Sequence, residues 1–342
     1  MISRERHFAP SSIREHIVAT FTERLTEAVR TKRSPLLVGL DPRWEQLPAA
    51  MRESAGDETP LSKAAVYMQF CRDVIDVVAP LVPAVKPQAA FFEQLGPPGM
   101  NALYDVVQHA HQQGLMVILD GKRNDIGSTA TAYADAYLGA GQASPWGADA
   151  LTVSPYLGDD SLDPFVEVAR ERDAGIFVLV KTSNPGGKCF QDLVSDGKPL
   201  YSHVAGLVEQ LAAATLPSEL DVPFGAVGAV AGATYPEQLE ELRSAMPHSW
   251  FLVPGFGAQG GSAADVAGAF DSSGLGAVVN SSRGIIFAHS RAPYDQQFGD
   301  TKWQEAVEAA TRDMIAQLQA ETSACLLYTS DAADEGLGVY LG

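Results

Sequence analysis

The sequence predicts a (β/α)8 barrel, the TIM fold, and three observations carry that prediction. Eight short runs rich in Val, Leu and Ile recur along the chain. Each is bounded by Gly, Pro or polar residues, the mark of strands buried on both faces. The segments between them repeat apolar residues at helical spacing. The turn after the first run, "GLDPRW", lacks the glycine-rich phosphate loop of the runner-up architecture, an open doubly wound sheet. Strands alternating with helices over about 250 residues match the usual size of such a barrel.

In chain order, residues 1–34 read as an N-terminal helix followed by a basic loop. The strand candidates are "LLVGLD" (36–41), "PAVKP" (83–87), "LMVILDGK" (115–122) and "ALTVSP" (150–155). The second half supplies "GIFVLVKTS" (175–183), "FGAVGAV" (224–230), "WFLVPGFG" (250–257) and "GAVVNSSRG" (276–284). Between them, residues 63–81 place Val66, Phe70, Val74, Val77 and Val78 three or four apart. Residues 100–114 repeat the pattern and end at Gly114, a good helix stop, and 200–214 and 303–320 follow suit. The last segment, "ACLLYTSDAADEGLGVYLG" (324–342), resumes no pattern. The barrel is therefore expected to span 1–323, with 324–342 a tail that is non-native to the fold or disordered.

Composition narrows the function. A formal net charge of −18 argues against nucleic-acid partners and anionic membrane surfaces. It leaves a small anionic ligand open, because a few local cations outweigh a distant acidic field at short range. Cys71, Cys189 and Cys325 are widely spaced and odd in number, with neither CxxC spacing nor a Cys/His cluster. The histidines form no HxxxH or HExxH pair, so no metal site is expected. The opening residues lack the roughly 7–15-residue apolar core of a secretory signal. No stretch reaches the roughly 18 apolar residues of a membrane span. A reducing cytoplasm is the expected location.

In a barrel of this kind, chemistry gathers at the C-terminal ends of the strands. Read in order, those ends carry Asp41, Lys86, Asp120 with Lys122, Ser154, and Lys181. The last two strands run into "PGFGAQGG" (254–261) and "NSSRG" (280–284). Taken alone, "LDGKRNDIGST" (119–129) reads as a solvated turn, since DG and ND are turn signals. Asp41 before Pro42 and Ser154 before Pro155 are common turn pairs, and a lone Arg283 or Lys86 is usually a surface cation. At the end of a buried strand, however, Asp120 and Lys122 are two apart and share a face. Asp125 lies past the strand, so it reaches the site from a loop or belongs to a neighbouring site. A Lys86–Asp120–Lys122–Asp125 array of alternating sign would offset the cost of burying charge. The glycine-rich loop lets backbone N–H groups approach an anion, and Arg283 adds a planar fork of donors. Together they predict a phosphorylated small molecule as ligand. Lys181 suits either a Schiff base or a structural ion pair.

The stretch 119–129 resembles the Asp-x-Lys-x-x-Asp signature of the orotidine 5′-phosphate decarboxylase family. "GLDP" (39–42), "VKPQAAFFE" (85–93), "VSPY" (153–156), "VPGFGAQGG" (253–261) and "NSSRGI" (280–285) look like matching segments of its longer bacterial branch, in the same order. The resemblance implies decarboxylation of orotidine 5′-monophosphate to uridine 5′-monophosphate, with no cofactor and no metal. It implies Lys86, Asp120, Lys122 and Asp125 as the catalytic tetrad, with Lys122 the proton donor. It further implies a homodimer in which Asp125 and Thr129 cross to the other chain's site. Asp41 would bind a ribose hydroxyl and Ser154 the pyrimidine edge. Pro254, Gln259 and Arg283 would line the phosphate and base pocket. Ser282 stands where other branches often carry Gly. Two other functions compete: a metal-dependent aldolase acting on a pentulose phosphate, which shares the DxKxxD array, and a non-catalytic nucleotide-binding protein.

Overall fold

The computed structural model describes residues 19–217, 222–257 and 261–328, and there the eight runs form eight parallel strands closed into one barrel. The first four are β1 (Leu36–Leu40), β2 (Ala84–Pro87), β3 (Met116–Arg123) and β4 (Ala150–Val153). The rest are β5 (Gly175–Lys181), β6 (Val227–Ala231), β7 (Phe251–Pro254) and β8 (Ala277–Ser281). Neighbours around the barrel follow chain order, and β1 closes against β8 with Leu36 opposite Val279. Every residue of β1, β4, β6 and β8 is buried, as two-sided cover by barrel interior and outer helices requires. A short antiparallel ribbon, Val194–Ser195 with Lys198–Pro199, lies outside the barrel on the connection after β5.

The main helices are α1 (Phe21–Lys32), α2 (Pro60–Val78), α3 (Pro97–Gln112), α4 (Gly127–Tyr137) and α5 (Asp163–Glu171). They continue as α6 (Leu200–Ala214), α7 (Pro236–Ala245), the short α8 (Arg283–Ile286) and α9 (Trp303–Glu321). Capping sets their starts. The Thr20 hydroxyl and the Glu23 carboxylate bond each other's backbone N–H, a capping box opening α1. α2 begins three residues before the predicted Lys63, because Thr59 caps it and Pro60 takes the first position, where no N–H is needed. Its predicted end at Leu81 moves back to Val78, because Pro80 has no N–H to continue the helical ladder.

α1 lies against the N-terminal ends of β4 and β5. Arg24 pairs with Asp149 at 2.8 Å and donates to the Asp173 carbonyl at 3.0 Å. Asp149 is buried and also receives the Val117 N–H and His111 Nε2, each at 2.9 Å. The Phe21 ring rests on Gly175, where a Cβ would come within 2.3 Å of it. This end of the barrel is therefore tied down by packing and a satisfied buried charge, which leaves the opposite end for chemistry.

At the other terminus, Ser323–Tyr328 forms a 3-10 turn in which Ala324 and Leu327 are buried. The Ser323 hydroxyl donates to the Asp271 carbonyl at 2.9 Å. The packed chain thus runs past the boundary expected at Ser323, because these two apolar side chains find the core. Residues 329–342 of the expected tail lie outside the described residues. Among the described residues, no helix is long and apolar enough to cross a membrane.

Candidate active site

A cavity of about 290 Å³ opens at the C-terminal ends of the strands. Asp41, Lys86, Asp120, Lys122, Pro254 and Arg283, six of the residues singled out from the sequence, all line it. At its centre is the Asp120 carboxylate. One oxygen, Oδ2, receives Lys86 Nζ at 2.8 Å and Gln88 Nε2 at 3.0 Å. The other, Oδ1, receives Lys122 Nζ at 2.6 Å and the Thr152 hydroxyl at 2.9 Å. Each oxygen thus takes one ammonium and one neutral donor, which satisfies a carboxylate with about four lone-pair positions.

The Asp120–Lys122 contact is made differently from the alternation expected of a regular strand. Leu119 pairs with Leu151, and the next pairing is Arg123 with Val153, so four steps along β3 match two along β4. The surplus forms a bulge containing Asp120, Gly121 and Lys122, a device found beside active sites. Lys122 takes φ +44°, which costs a side-chain-bearing residue about 1–2 kcal/mol. Its N–H donates to the Thr152 hydroxyl at 2.9 Å. Arg123 points elsewhere: it pairs with Glu93, donates to Gly121 O at 2.8 Å, and lies over the Tyr133 and Tyr137 rings.

On the β1 and β8 side, Gly39 of "GLDP" allows the strand ends to meet. A Cβ there would fall 1.8 Å from the Ser282 hydroxyl oxygen. Asp41 Oδ1, Asn280 Oδ1 and Arg43 Nε, all on cavity-lining residues, are buried with no hydrogen-bond partner in the protein among the described residues. Unmet buried polar atoms cost about 1–3 kcal/mol each, so this wall suits a ligand that brings both donors and acceptors.

A family model for orotidine 5′-phosphate decarboxylase / HUMPS matches residues 34–293. The chain belongs to this family. A Rhodopirellula baltica orotidine 5′-phosphate decarboxylase is 62% identical over 302 residues, which is 88% of this chain and 99% of that protein. One from Deinococcus radiodurans is 43% identical over 271 residues, 79% of this chain and 90% of that protein. The structure of Leishmania donovani OMP decarboxylase, 34% identical, aligns with a TM-score of 0.66 over 89% of this chain and 98% of its own.

Not every residue expected from the family signature comes to the cavity. Ser154 does not line it. β4 ends at Val153, and Ser154 sits in the following turn with its N–H held by the Arg123 carbonyl at 2.9 Å. The serine that lines the cavity is Ser183, after β5, beside Thr182 and Asn184. The stretch "KTSN" was its signal, because it ends a strand just as "LDGK" does. Asp125 lies in the loop after β3, accepts its neighbour Ile126's N–H at 2.9 Å and does not line the cavity. Thr129 is exposed on the first turn of α4. Gln259 lies outside the described residues. Lys181 is buried off the cavity wall, paired with Asp192 between the rings of Tyr201 and Tyr235, which is the structural role rather than a Schiff base.

Asp120 and Lys86 shift in opposite directions. Burial disfavours the charged Asp120, but Lys86 and Lys122 outweigh it and hold the carboxyl far below the usual carboxylate range. Burial likewise opposes the Lys86 ammonium, and Asp120 followed by Asp41 more than offsets it, holding Lys86 above the usual lysine range. The Asp120 contribution to stability is complete above its unfolded value, about pH 4, and is lost only as pH falls through the lower folded value. The Lys86 contribution is complete below its unfolded value, about 10.4, and is lost as pH rises through the higher folded one. Asp120 and Lys86 should therefore add no pH dependence to stability between about pH 5 and 9. Lys86→Ala strips one counter-charge from a buried carboxylate, and urea unfolding at pH 7 should show a loss of about 3 kcal/mol. A loss below about 0.5 kcal/mol, the ordinary range for a surface substitution, would contradict this account of the array.

Proposed function

We propose that this chain converts orotidine 5′-monophosphate to uridine 5′-monophosphate and CO2 without a cofactor, in de novo pyrimidine synthesis, with Lys122 as the proton donor. The observation that carries the reading is the Asp120 carboxylate fixed between two ammonium groups on the cavity wall. Breaking the bond to the substrate carboxylate leaves an electron pair at C6, in an orbital lying in the ring plane. The ring π-system does not delocalise that pair, so fixed charge must stabilise it. The Lys122 ammonium does this as the charge develops, then gives its proton to C6 and is reprotonated from solvent. A substrate carboxylate beside Asp120 meets a like charge, and that repulsion is relieved as CO2 departs.

One ion pair cannot supply the roughly 8–23 kcal/mol of barrier lowering that enzymes provide. The phosphate, remote from the reacting carbon, offers further binding energy through Arg283 and the glycine-rich loop after β7. Asp41 Oδ1 and Asn280 Oδ1, acceptors without a partner among the described residues, suit ribose hydroxyls. Ser183 takes the part of the base-reading hydroxyl in place of Ser154. A metal-dependent sugar-phosphate aldolase fits less well, because a divalent cation at Asp120 would have to displace two ammonium groups from its oxygens.

Asp125 and Thr129 point to a homodimer with shared sites, since within one chain neither lines the cavity that Asp120 and Lys122 do. In this reading Asp125 and Thr129 of each chain complete the site of the other, and the enzyme works in the cytoplasm.

Following orotidine 5′-monophosphate by absorbance should show turnover that EDTA leaves unchanged. Lys122→Ala should abolish turnover by at least about 100-fold while retaining uridine 5′-monophosphate binding. Turnover lost to EDTA would favour the aldolase-type site, and none in the unmutated chain would favour a binding protein. Mixing Lys122→Ala chains with Asp125→Ala chains tests the shared site separately. Each mixed dimer regains one intact site, so activity should rise to about a quarter of the unmutated level after random exchange of chains. Activity that stays at the level of the separate variants would place Asp125 and Lys122 in the same chain's site.

A further inference from the structure

Thr152 of β4 sits opposite the bulge in β3, on the cavity wall and 1% exposed. Its hydroxyl makes two bonds whose directions are fixed. An ionised carboxylate only accepts and a backbone N–H only donates. The hydroxyl therefore donates to Asp120 Oδ1 and accepts from the Lys122 N–H, each at 2.9 Å. The register shift removes Lys122 from the regular β3–β4 pairing, and the threonine side chain takes the N–H there instead. Lys122 also holds φ +44°, a backbone position that a side-chain-bearing residue adopts only when its surroundings enforce it. Lys122 Nζ donates to the same oxygen, Oδ1, while Lys86 and Gln88 bind the opposite one, Oδ2. Thr152 is the side chain that ties the carboxylate's position to the lysine's backbone.

We propose that Thr152 is a positioning residue for the proton donor: its hydroxyl holds the left-handed backbone of Lys122 so that the ammonium stays fixed between Asp120 and the reacting carbon. This rests on the reading of Lys122 as the acid at C6. Loss of the hydroxyl leaves Lys122 Nζ attached to Asp120 but frees the backbone from which it reaches. The groups assigned to phosphate and ribose lie on or after β1, β7 and β8, away from Thr152, so binding is spared while the proton-transfer geometry loosens.

Steady-state kinetics on orotidine 5′-monophosphate with Thr152→Val and Thr152→Ser test this. Valine keeps the shape and removes the hydroxyl; serine keeps the hydroxyl and removes a methyl. Thr152→Val should lower kcat about 10- to 100-fold with KM moved by less than about threefold, the pattern of lost transition-state geometry. Thr152→Ser should recover kcat to within about threefold of the unmutated chain. If Thr152→Val does not accumulate as folded protein, Thr152→Ala carries the same expectation against Thr152→Ser. The proposal is overturned if the hydroxyl-free variant keeps kcat or raises only KM. It is also overturned if serine is as slow as valine, which would make packing the cause. No turnover by the unmutated chain would instead remove the decarboxylase reading, and this inference with it.

Discussion

The carboxylate of Asp120, bonded by four donors from three strands and the segment beyond β2, is the contact on which the site is built. β2 delivers Lys86 and the residue after it, Gln88; β3 delivers Lys122; β4 delivers Thr152. A buried carboxylate with fewer partners would take up a proton or draw in water, and the two ammonium groups would lose what fixes them. Remove that anion and Lys86, 4% exposed, becomes an uncompensated buried charge. The array is therefore a joint condition: each charge is tolerable in the barrel mouth only because the others are present. A site that must oppose a developing carbanion benefits from this, because its dipoles and charges are already oriented and need not reorganise during the reaction.

The fold sets the stage for this by asymmetry. At the N-terminal end of the barrel, the charge on Asp149 is spent internally, on Arg24, His111 and a backbone N–H. At the C-terminal end, several polar atoms of the cavity wall have no partner among the described residues. The buried charge of Asp149 is thus met within the protein, whereas the cavity wall presents polar atoms to a ligand. The formal charge of −18 does not prevent an anionic ligand from binding there. Lys86, Lys122, Arg43 and Arg283 all line the cavity, and local charges dominate within a Debye length of about 8–10 Å.

The barrel was legible because its strands are buried on both faces, and Val, Leu and Ile runs of five or so residues have few other uses. The strand ends were legible to within three residues, and that margin decided which site residues were found. Asp120, Lys122, Lys86 and Asp41 carry charge, so they stood out wherever the strand stopped. Ser154 was read as the end of the fourth strand, but β4 stops one residue earlier, at Val153, and the hydroxyls on the cavity wall belong to Thr152 and Ser183. The Asp120–Lys122 contact was foreseen from strand alternation, yet it arises from a bulge with Lys122 at positive φ. Nothing in "DGKR" announces that, since the feature depends on how β4 pairs with it. Gln88 carries no charge and became visible only once Asp120 was placed. Lys181 was ambiguous because its ring partners, Tyr201 and Tyr235, lie 20 and more residues away in sequence.

In the proposed reaction this charge array stabilises an anion at C6 and Lys122 handles the proton there. Running that step backwards measures it without the departure of CO2. Uridine 5′-monophosphate in D2O, followed by proton NMR, reports exchange of the hydrogen on C6. The unmutated protein should replace it with deuterium at least about 100-fold faster than Lys122→Ala does, the usual scale for a positioned acid or base. An unchanged C6 signal with the unmutated protein, or equal exchange with and without the Lys122 ammonium, would contradict the account.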